Sequence, residues 1–218
     1  MYYGRAVDNT ILTAINEILA NQAKPTENTR QKIIMLLDYL NTYPDAKVRF
    51  YTLDMKLHID SDAAYLVAPQ AKSRIAGFFY CSNHTTPSTP TPFLSSPVHI
   101  KYRVLRHVIT SAAEAETAAL FFNAQTTLEL VHILHALGHP QTQIPIKTDN
   151  ATASAFVHST IKQKRSKAWD ICYHWLSEQQ IKKVSSTNRS LYVTFFDVCT
   201  CVGRVGGQSC LCFGIHRD

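Results

Sequence analysis

Long apolar runs are missing from this chain. No segment approaches the roughly 18 to 20 consecutive apolar residues that a bilayer-spanning helix needs. The opening Met1-Tyr2-Tyr3-Gly4-Arg5 also lacks a basic stretch followed by an apolar one. A soluble, intracellular protein with no membrane partner is expected, cytoplasmic or nuclear. Glycine is scarce, at 7 of 218 residues, and proline stands at 9, which excludes collagen-like and linker-dominated architectures. No glycine-rich word follows a strand and opens a helix, so a phosphate-cradling loop is not expected, and Gly203, Gly206 and Gly207 stand in a segment without periodicity. No nucleophile-elbow word occurs. The 6 cysteines, in a chain too large to need disulfides, are expected to be reduced thiols.

Apolar residues make up 45% and charged residues 17%, ordinary globular values that permit one large domain or a domain with an appendage. Lys and Arg outnumber Asp and Glu by 22 to 16, a formal charge of +6 that favours anionic partners.

Residues 1–46 read as helical. Ile11, Ile15, Ile18 and Leu19 recur at helical spacing. After Lys24-Pro25, Thr26 caps a second helix that carries Ile33, Leu36, Leu37 and Leu40 on one face. From Val48 the period becomes that of strands: Val48–Thr52 and Leu57–Asp62 as two strands or one bent strand, Ile75–Tyr80, and Val98–Leu105 after a polar loop. Ser111–Leu137 is a long Ala- and Leu-rich helix stopped at Gly138-His139-Pro140. Ile144–Asp149 is a short strand, Ala151–Ser159 a short helix, Ser166–Lys182 a longer one, and Leu191–Phe196 a last strand. The layout is α/β. Residues 197–218 break with it: the stretch from 199 on holds four of the 7 Gly and four of the 6 Cys, a divergent tail expected to be irregular.

Three acids fall at positions where open α/β sheets build sites. Asp62 follows the apolar strand Leu57–Ile59, Glu116 lies in the first turns of the long helix, and Asp149 ends the strand from Ile144. Clustered carboxylates repel one another unless protons or cations compensate, which makes such a group a candidate Mg²⁺ site. Glu114 and Glu116 point about 200° apart on a helix. Glu116 shares its face with Ala119, Leu120, Ala124, Val131 and Leu134, so it is read as the inward one. Asp60 shares a strand face with Asp62 and is read as a supporting or substitute ligand. By spacing alone, ordinary surface acids are the alternative.

The words around these acids carry more. Asp62 sits in Ile-Asp-Ser-Asp-Ala-Ala-Tyr, followed by Ala-Lys-Ser-Arg-Ile-Ala-Gly-Phe-Phe. Glu116 sits in Thr-Ser-Ala-Ala-Glu-Ala-Glu, and Asp149 in Pro-Ile-Lys-Thr-Asp-Asn-Ala-Thr-Ala. Lys162-Gln-Lys-Arg-Ser-Lys-Ala-Trp-Asp lies downstream. In this order they resemble the ribonuclease H domain that closes copia-type LTR retrotransposon polyproteins. Tyr2-Tyr-Gly-Arg-Ala-Val-Asp-Asn-Thr, Pro25-Thr-Glu-Asn-Thr and Leu36-Leu-Asp-Tyr-Leu look like the stretch that joins that family's reverse transcriptase to its ribonuclease H. The likeness spans about residues 2 to 195.

The resemblance implies a helical connection segment over 1–46, a ribonuclease H-like mixed five-stranded sheet flanked by helices over 47–196, and a foreign tail over 197–218. It implies Asp62, Glu116 and Asp149 as catalytic metal ligands for two Mg²⁺ ions, which hydrolyse the RNA strand of an RNA–DNA hybrid. Contacts to 2′-hydroxyls would select RNA, and Asn150 would contact the hybrid. Other parts of a retroelement polyprotein are implied partners.

Two features depart from that pattern. The family's fourth acid lies in an Ala-Asp-x-x-Thr-Lys word after the last strand. No such word occurs here, and Asp197 follows the strand too closely to match it. No Tyr-x-Asp-Asp polymerase word occurs either. Weak activity or none is therefore expected, and the alternative is a non-catalytic retroelement remnant that at most binds nucleic acid.

Remaining signals are weaker. Lys162, Lys164, Arg165 and Lys167 form a basic run, read as a phosphate-backbone track rather than a merely solvated face. Trp169, Tyr173 and Trp175 could stack on bases, but their spacing beside Ile171, Cys172 and Leu176 reads as core. Cys199, Cys201, Cys210 and Cys212 could ligate Zn²⁺, though the Cys-x-Cys gap is not that of zinc ribbons. The histidines show no metal-ligand grouping.

Overall fold

Polar side chains mark where the N-terminal helices begin. A computed structural model describes residues 2–84, 91–158, 172, 174–179 and, for the backbone, 190–195. The described residues form two compact units, one within Met1–Phe50 and one within Tyr51–Gly214. The first holds α1 (Tyr2–Ala6), a 3₁₀ turn at Asn9–Ile11, α2 (Leu12–Ala20) and α3 (Glu27–Thr42). Asp8 caps the 3₁₀ turn by accepting the Thr10 N–H at 3.0 Å. Thr26 caps α3: its hydroxyl accepts the Thr29 N–H while Thr29 accepts the Thr26 N–H, a reciprocal box that satisfies two end groups of the backbone. Lys32 pairs with Glu17 at 2.8 Å and ties α3 to α2.

The apolar face expected on α3 is only half covered. Leu36 and Leu40 are half-buried, whereas Ile33 and Leu37 are exposed. The physical reason is supply, since among the described residues of this unit α3 meets the nine-residue α2 and, through Tyr39 and Thr10, the short 3₁₀ turn.

The second unit is built on β1 (Lys56–Ala68), β2 (Lys72–Ser82), β3 (Pro97–Val104), α4 (Ala112–Ala136), β4 (Gln143–Thr148), α5 (Ala151–Val157) and β5 (Ser190–Phe195). The sheet order is β3-β2-β1-β4-β5. The first three strands pair antiparallel, and β4 and β5 run parallel to β1. This is the mixed five-stranded sheet expected from the sequence. No helix among the described residues is long and apolar enough to cross a membrane.

Two strand expectations need correction. Residues 48–52 form no strand, because the ladder begins only at Lys56↔Ser82. Ahead of it, side chains replace strand pairing: Asn83 accepts the Asp54 N–H and Asp54 accepts the His84 N–H. Conversely, β1 does not stop at Asp62. Its pairing with β2 continues past Asp62↔Ala76 to Ala64↔Arg74, which leaves Asp62 inside the strand rather than at its end.

The core lies between the sheet and α4. Leu57, Ile59, Phe79, Leu120, Val131, Ile144 and Ile146 form its larger cluster; Ile75, Leu105, Ile109, Ala115, Ala118 and Ala119 form a second. Each fully buried Leu or Ile contributes about 1.5–3 kcal/mol over an exposed one. The N-terminal half of α4 meets the sheet mostly through alanine, which lets helix and strands approach closely. Lys101 on β3 donates to the Phe122 carbonyl and the Thr126 hydroxyl of α4, both at 2.6 Å.

Of the expected late elements, residues 174–179 are helical, and Trp175 packs edge-on against Phe121 at 5.3 Å, a core role. Trp169, Tyr173, the basic run Lys162, Lys164, Arg165 and Lys167, and the whole tail with Asp197 and its cysteines lie outside the described residues.

Candidate metal centre

Each of the three acids owes its place to a different local rule. Parallel pairing of β1 with β4 is recorded at Ile59↔Ile146 and Asp60↔Lys147, and Asp62 lies two residues further along β1. Asp149 is the first residue after β4, exposed, where the chain turns into α5. That turn is fixed by Asn150, whose Oδ1 accepts the Ala153 N–H at 2.9 Å as the α5 cap. Glu116 sits in the second turn of α4, a helix started by Ser111, whose hydroxyl accepts the Glu114 N–H.

These placements converge. One carboxylate oxygen from each of Asp62, Glu116 and Asp149 lies within 4.8 Å of the other two. Glu116 is buried, Asp62 half-buried and Asp149 exposed, so the group is open on the Asp149 side. Glu116 Oε1 accepts the Ala63 N–H at 3.1 Å, while its Oε2 is buried without a hydrogen bond.

The electrostatics follow from burial and crowding. The Glu116 carboxyl is pushed up to about 9, by burial first, then by the carboxylates of Asp62 and Asp149; the Ala63 N–H and the Thr148 hydroxyl work against this rise. Asp62 is raised to about 6, again by burial first and then by Asp149, and lowered in part by its hydrogen bond to the Ala63 backbone. Without a cation such a group holds protons. A divalent ion would supply the missing positive charge and a partner for Glu116 Oε2. An all-carboxylate donor set suits hard oxygen-seeking ions such as Mg²⁺ or Mn²⁺. Among the described residues no fourth acid or histidine joins the three.

Neighbouring acids have other work. Asp60, read as a supporting or substitute ligand, lies instead 3.9 Å from Lys147 Nζ. Burial raises the Asp60 carboxyl and lowers the Lys147 ammonium, and each offsets part of the other's shift. Lys147 also donates to the Tyr80 hydroxyl at 3.4 Å, and Tyr80 stacks on His58. Glu114, read as the outward acid, is buried too: its carboxylate accepts the Thr110 N–H at 3.0 Å, tying down the chain just before α4. Helical angle alone misses this, because the residue three after a cap can fold back onto the helix start.

Sequence reasoning passes over Asn123, which lies fully buried on the same side of α4 as Glu116. The available signal is an amide seven residues after Glu116, on the same face of an Ala- and Leu-rich helical run.

No family model matches the chain, and no curated protein matches it. Solved structures do. A ribonuclease H1 isolated from compost by a metagenomic approach is similar at 13% identity over 64% of this chain and 84% of that one, with a TM-score of 0.41. The same compost enzyme in complex with an RNA/DNA hybrid is similar at 12% identity over 64% and 86%, with a TM-score of 0.43. The N-terminal ribonuclease H domain of a Mycobacterium tuberculosis protein is similar at 12% identity over 65% and 83%, with a TM-score of 0.41.

Proposed function

We propose that this chain is a ribonuclease H-like piece of a copia-type retroelement polyprotein, whose carboxylate centre hydrolyses the RNA strand of RNA–DNA hybrids with Mg²⁺, at reduced efficiency. The observation that carries this reading is the convergence of Asp62, Glu116 and Asp149, three acids far apart in sequence, on one spot of less than 5 Å across. The family words quoted above for those same three residues support it. The ribonuclease H-like sheet is compatible with it, though a fold alone assigns no chemistry.

Asp62, Glu116 and Asp149 would hold the metal, and Mg²⁺ so held would activate a water and stabilise the departing oxygen. Glu116, anchored by the Ala63 N–H, fixes the inner side of the site. Asp149, exposed, faces the side from which a nucleic-acid backbone can approach. Asn150 has its Oδ1 committed to capping α5, so its contact with a hybrid would run through Nδ2. Lys162, Lys164, Arg165 and Lys167 would follow the phosphate backbone and add affinity without sequence choice.

Reduced efficiency follows from ligand count. With three acids among the described residues and no Ala-Asp-x-x-Thr-Lys word in the sequence, a second Mg²⁺ lacks one anionic ligand. The tail over 197–218 fits a frameshift or a spliced or decayed gene end; translation of the other two frames after codon 196 should expose the missing word, and its clean absence there counts against that origin.

The test is cleavage of a labelled RNA–DNA hybrid with Mg²⁺. Slow cleavage of the RNA strand, abolished by Asp149→Asn, is expected. Cleavage untouched by that substitution rejects the site. No cleavage by the native chain, with hybrid binding retained, leaves the non-catalytic remnant as the reading.

A further inference from the structure

We propose that Asn123 is a positioning residue of the carboxylate centre, its amide locking α4 to β1 and β2 so that Glu116 meets Asp62 at coordinating distance. The inference rests on the metal-binding reading of Asp62, Glu116 and Asp149.

Asn123 is 0% exposed in the part of α4 that otherwise packs on the sheet through Ala and Leu. Burying an amide there is costly unless its polar atoms are bonded. Both donors are: Nδ2 donates to the Ser61 hydroxyl at 2.9 Å and to the Ala76 carbonyl at 2.8 Å, while Oδ1, on the Gly77 side, is buried without a hydrogen bond. Neither partner is arbitrary. Ser61 immediately precedes Asp62, and Ala76 is the cross-strand partner of Asp62. On the other side of Asp62, Ala63 donates its N–H to Glu116. Glu116 and Asn123 are seven residues apart on α4, so they share a face about 10.5 Å apart along its axis. The helix is thus fixed by directional bonds to the residues before and after Asp62.

Gly77 makes room for this arrangement. A Cβ built there would lie 2.4 Å from Asn123 Oδ1, 2.7 Å from its Cγ and 2.9 Å from its Nδ2. Among the described glycines only Gly138 has a positive φ, so Gly77 is required for space and not for backbone conformation. Apolar packing is non-directional and allows α4 to slide or roll by fractions of an ångström. Metal coordination tolerates about 0.2 Å. The amide supplies the register that alanine contacts do not.

The test uses the full chain as native protein, Asn123→Ala, Gly77→Ala, the double variant and Asp149→Asn. Two quantities are read: the Mn²⁺ dissociation constant at pH 8, from the electron paramagnetic resonance signal of free Mn²⁺, and the thermal midpoint. Asn123→Ala should weaken Mn²⁺ binding about tenfold, as for other groups that orient ligands. Gly77→Ala should lower the midpoint sharply. The double variant should regain the midpoint of Asn123→Ala while keeping its weakened affinity, a split that a purely structural role for the amide does not produce. Native-like affinity in a cooperatively folded Asn123→Ala or double variant overturns the proposal. If both of these variants unfold, Ser61→Ala, which removes one acceptor and little volume, takes their place: weakened binding is expected and unchanged binding overturns it. If the native chain binds Mn²⁺ no better than Asp149→Asn, the metal-binding reading itself fails and the role of Asn123 falls with it.

Discussion

Glu116 on α4 accepts the backbone N–H of Ala63 on β1 at 3.1 Å, one residue beyond Asp62. This bond joins the helix and the strand at the point where their acids meet. It also leaves Glu116 Oε2 as a buried acceptor with no hydrogen bond. A carboxylate in that position is stable only when protonated or matched by a cation, and the predictions below follow from that choice.

The metal-free protein should lose stability as the pH rises. Glu116 goes from its ordinary 4.5 to about 9 on folding, and Asp62 from 3.8 to about 6. Between those limits the folded chain binds more protons than the unfolded one, so this contribution is complete below about pH 4 and is lost progressively up to about pH 9. Urea unfolding in a chelator should give a midpoint that falls from pH 6.5 to pH 9, with a shallower fall in Glu116→Gln, whose amide imitates the protonated acid.

Mg²⁺ should reverse that trend. Binding requires the charged carboxylates, so it releases protons and tightens as the pH rises through the range from about 6 to about 9 set by Asp62 and Glu116. Calorimetry at pH 6.5 and pH 8.5 should show at least tenfold tighter binding at the higher pH, with an observed heat that varies with the ionisation enthalpy of the buffer, the mark of proton release. Equal affinity at both contradicts the burial of Glu116.

Acid should act through His58. Burial first, and the Lys147 charge second, lower this imidazole to about 4 from its ordinary 6.5. The unfolded chain then binds more protons between those values, so stability that is complete above pH 6.5 is lost as the pH falls toward 4. This contribution opposes that of Glu116 and Asp62, so it is read as a difference: relative to the native chain, His58→Asn, of similar shape and without a titrating group, should gain urea midpoint as the pH falls from 7 to 4.

Leu120→Ala should cost about 2–5 kcal/mol. Leu120 is fully buried between α4 and the sheet, four residues after Glu116. The midpoint in urea should drop with an unchanged slope, since the cavity alters stability and not the surface exposed on unfolding.

The sequence carried more of the site than of the strand limits. Asp62, Glu116 and Asp149 stand out because words around them and their places on strand and helix agree, and local pattern sets all three. The extent of β1 is not local. Asp62 lies inside the strand because β2 goes on pairing past it, and Val48–Thr52 pairs with no strand among the described residues, whatever its alternation. Glu114 and Asp60 were legible as acids but not by partner, since Thr110 and Lys147 reach them only after the chain has turned. Asn123 falls on the inward face by its spacing from Glu116, but its role was not legible, since Ser61 and Ala76 reach it only in the folded sheet and its fit depends on the space left at Gly77.

The central claim is that Asp62, Glu116 and Asp149 together hold a divalent cation. Titration of the native chain with Mn²⁺ at pH 8, followed by electron paramagnetic resonance and repeated with Asp62→Asn, Glu116→Gln and Asp149→Asn, tests it most directly. Saturable binding in the native chain, weakened at least tenfold by each single substitution, is the predicted result. Binding that is absent, or that survives all three substitutions unchanged, would contradict it.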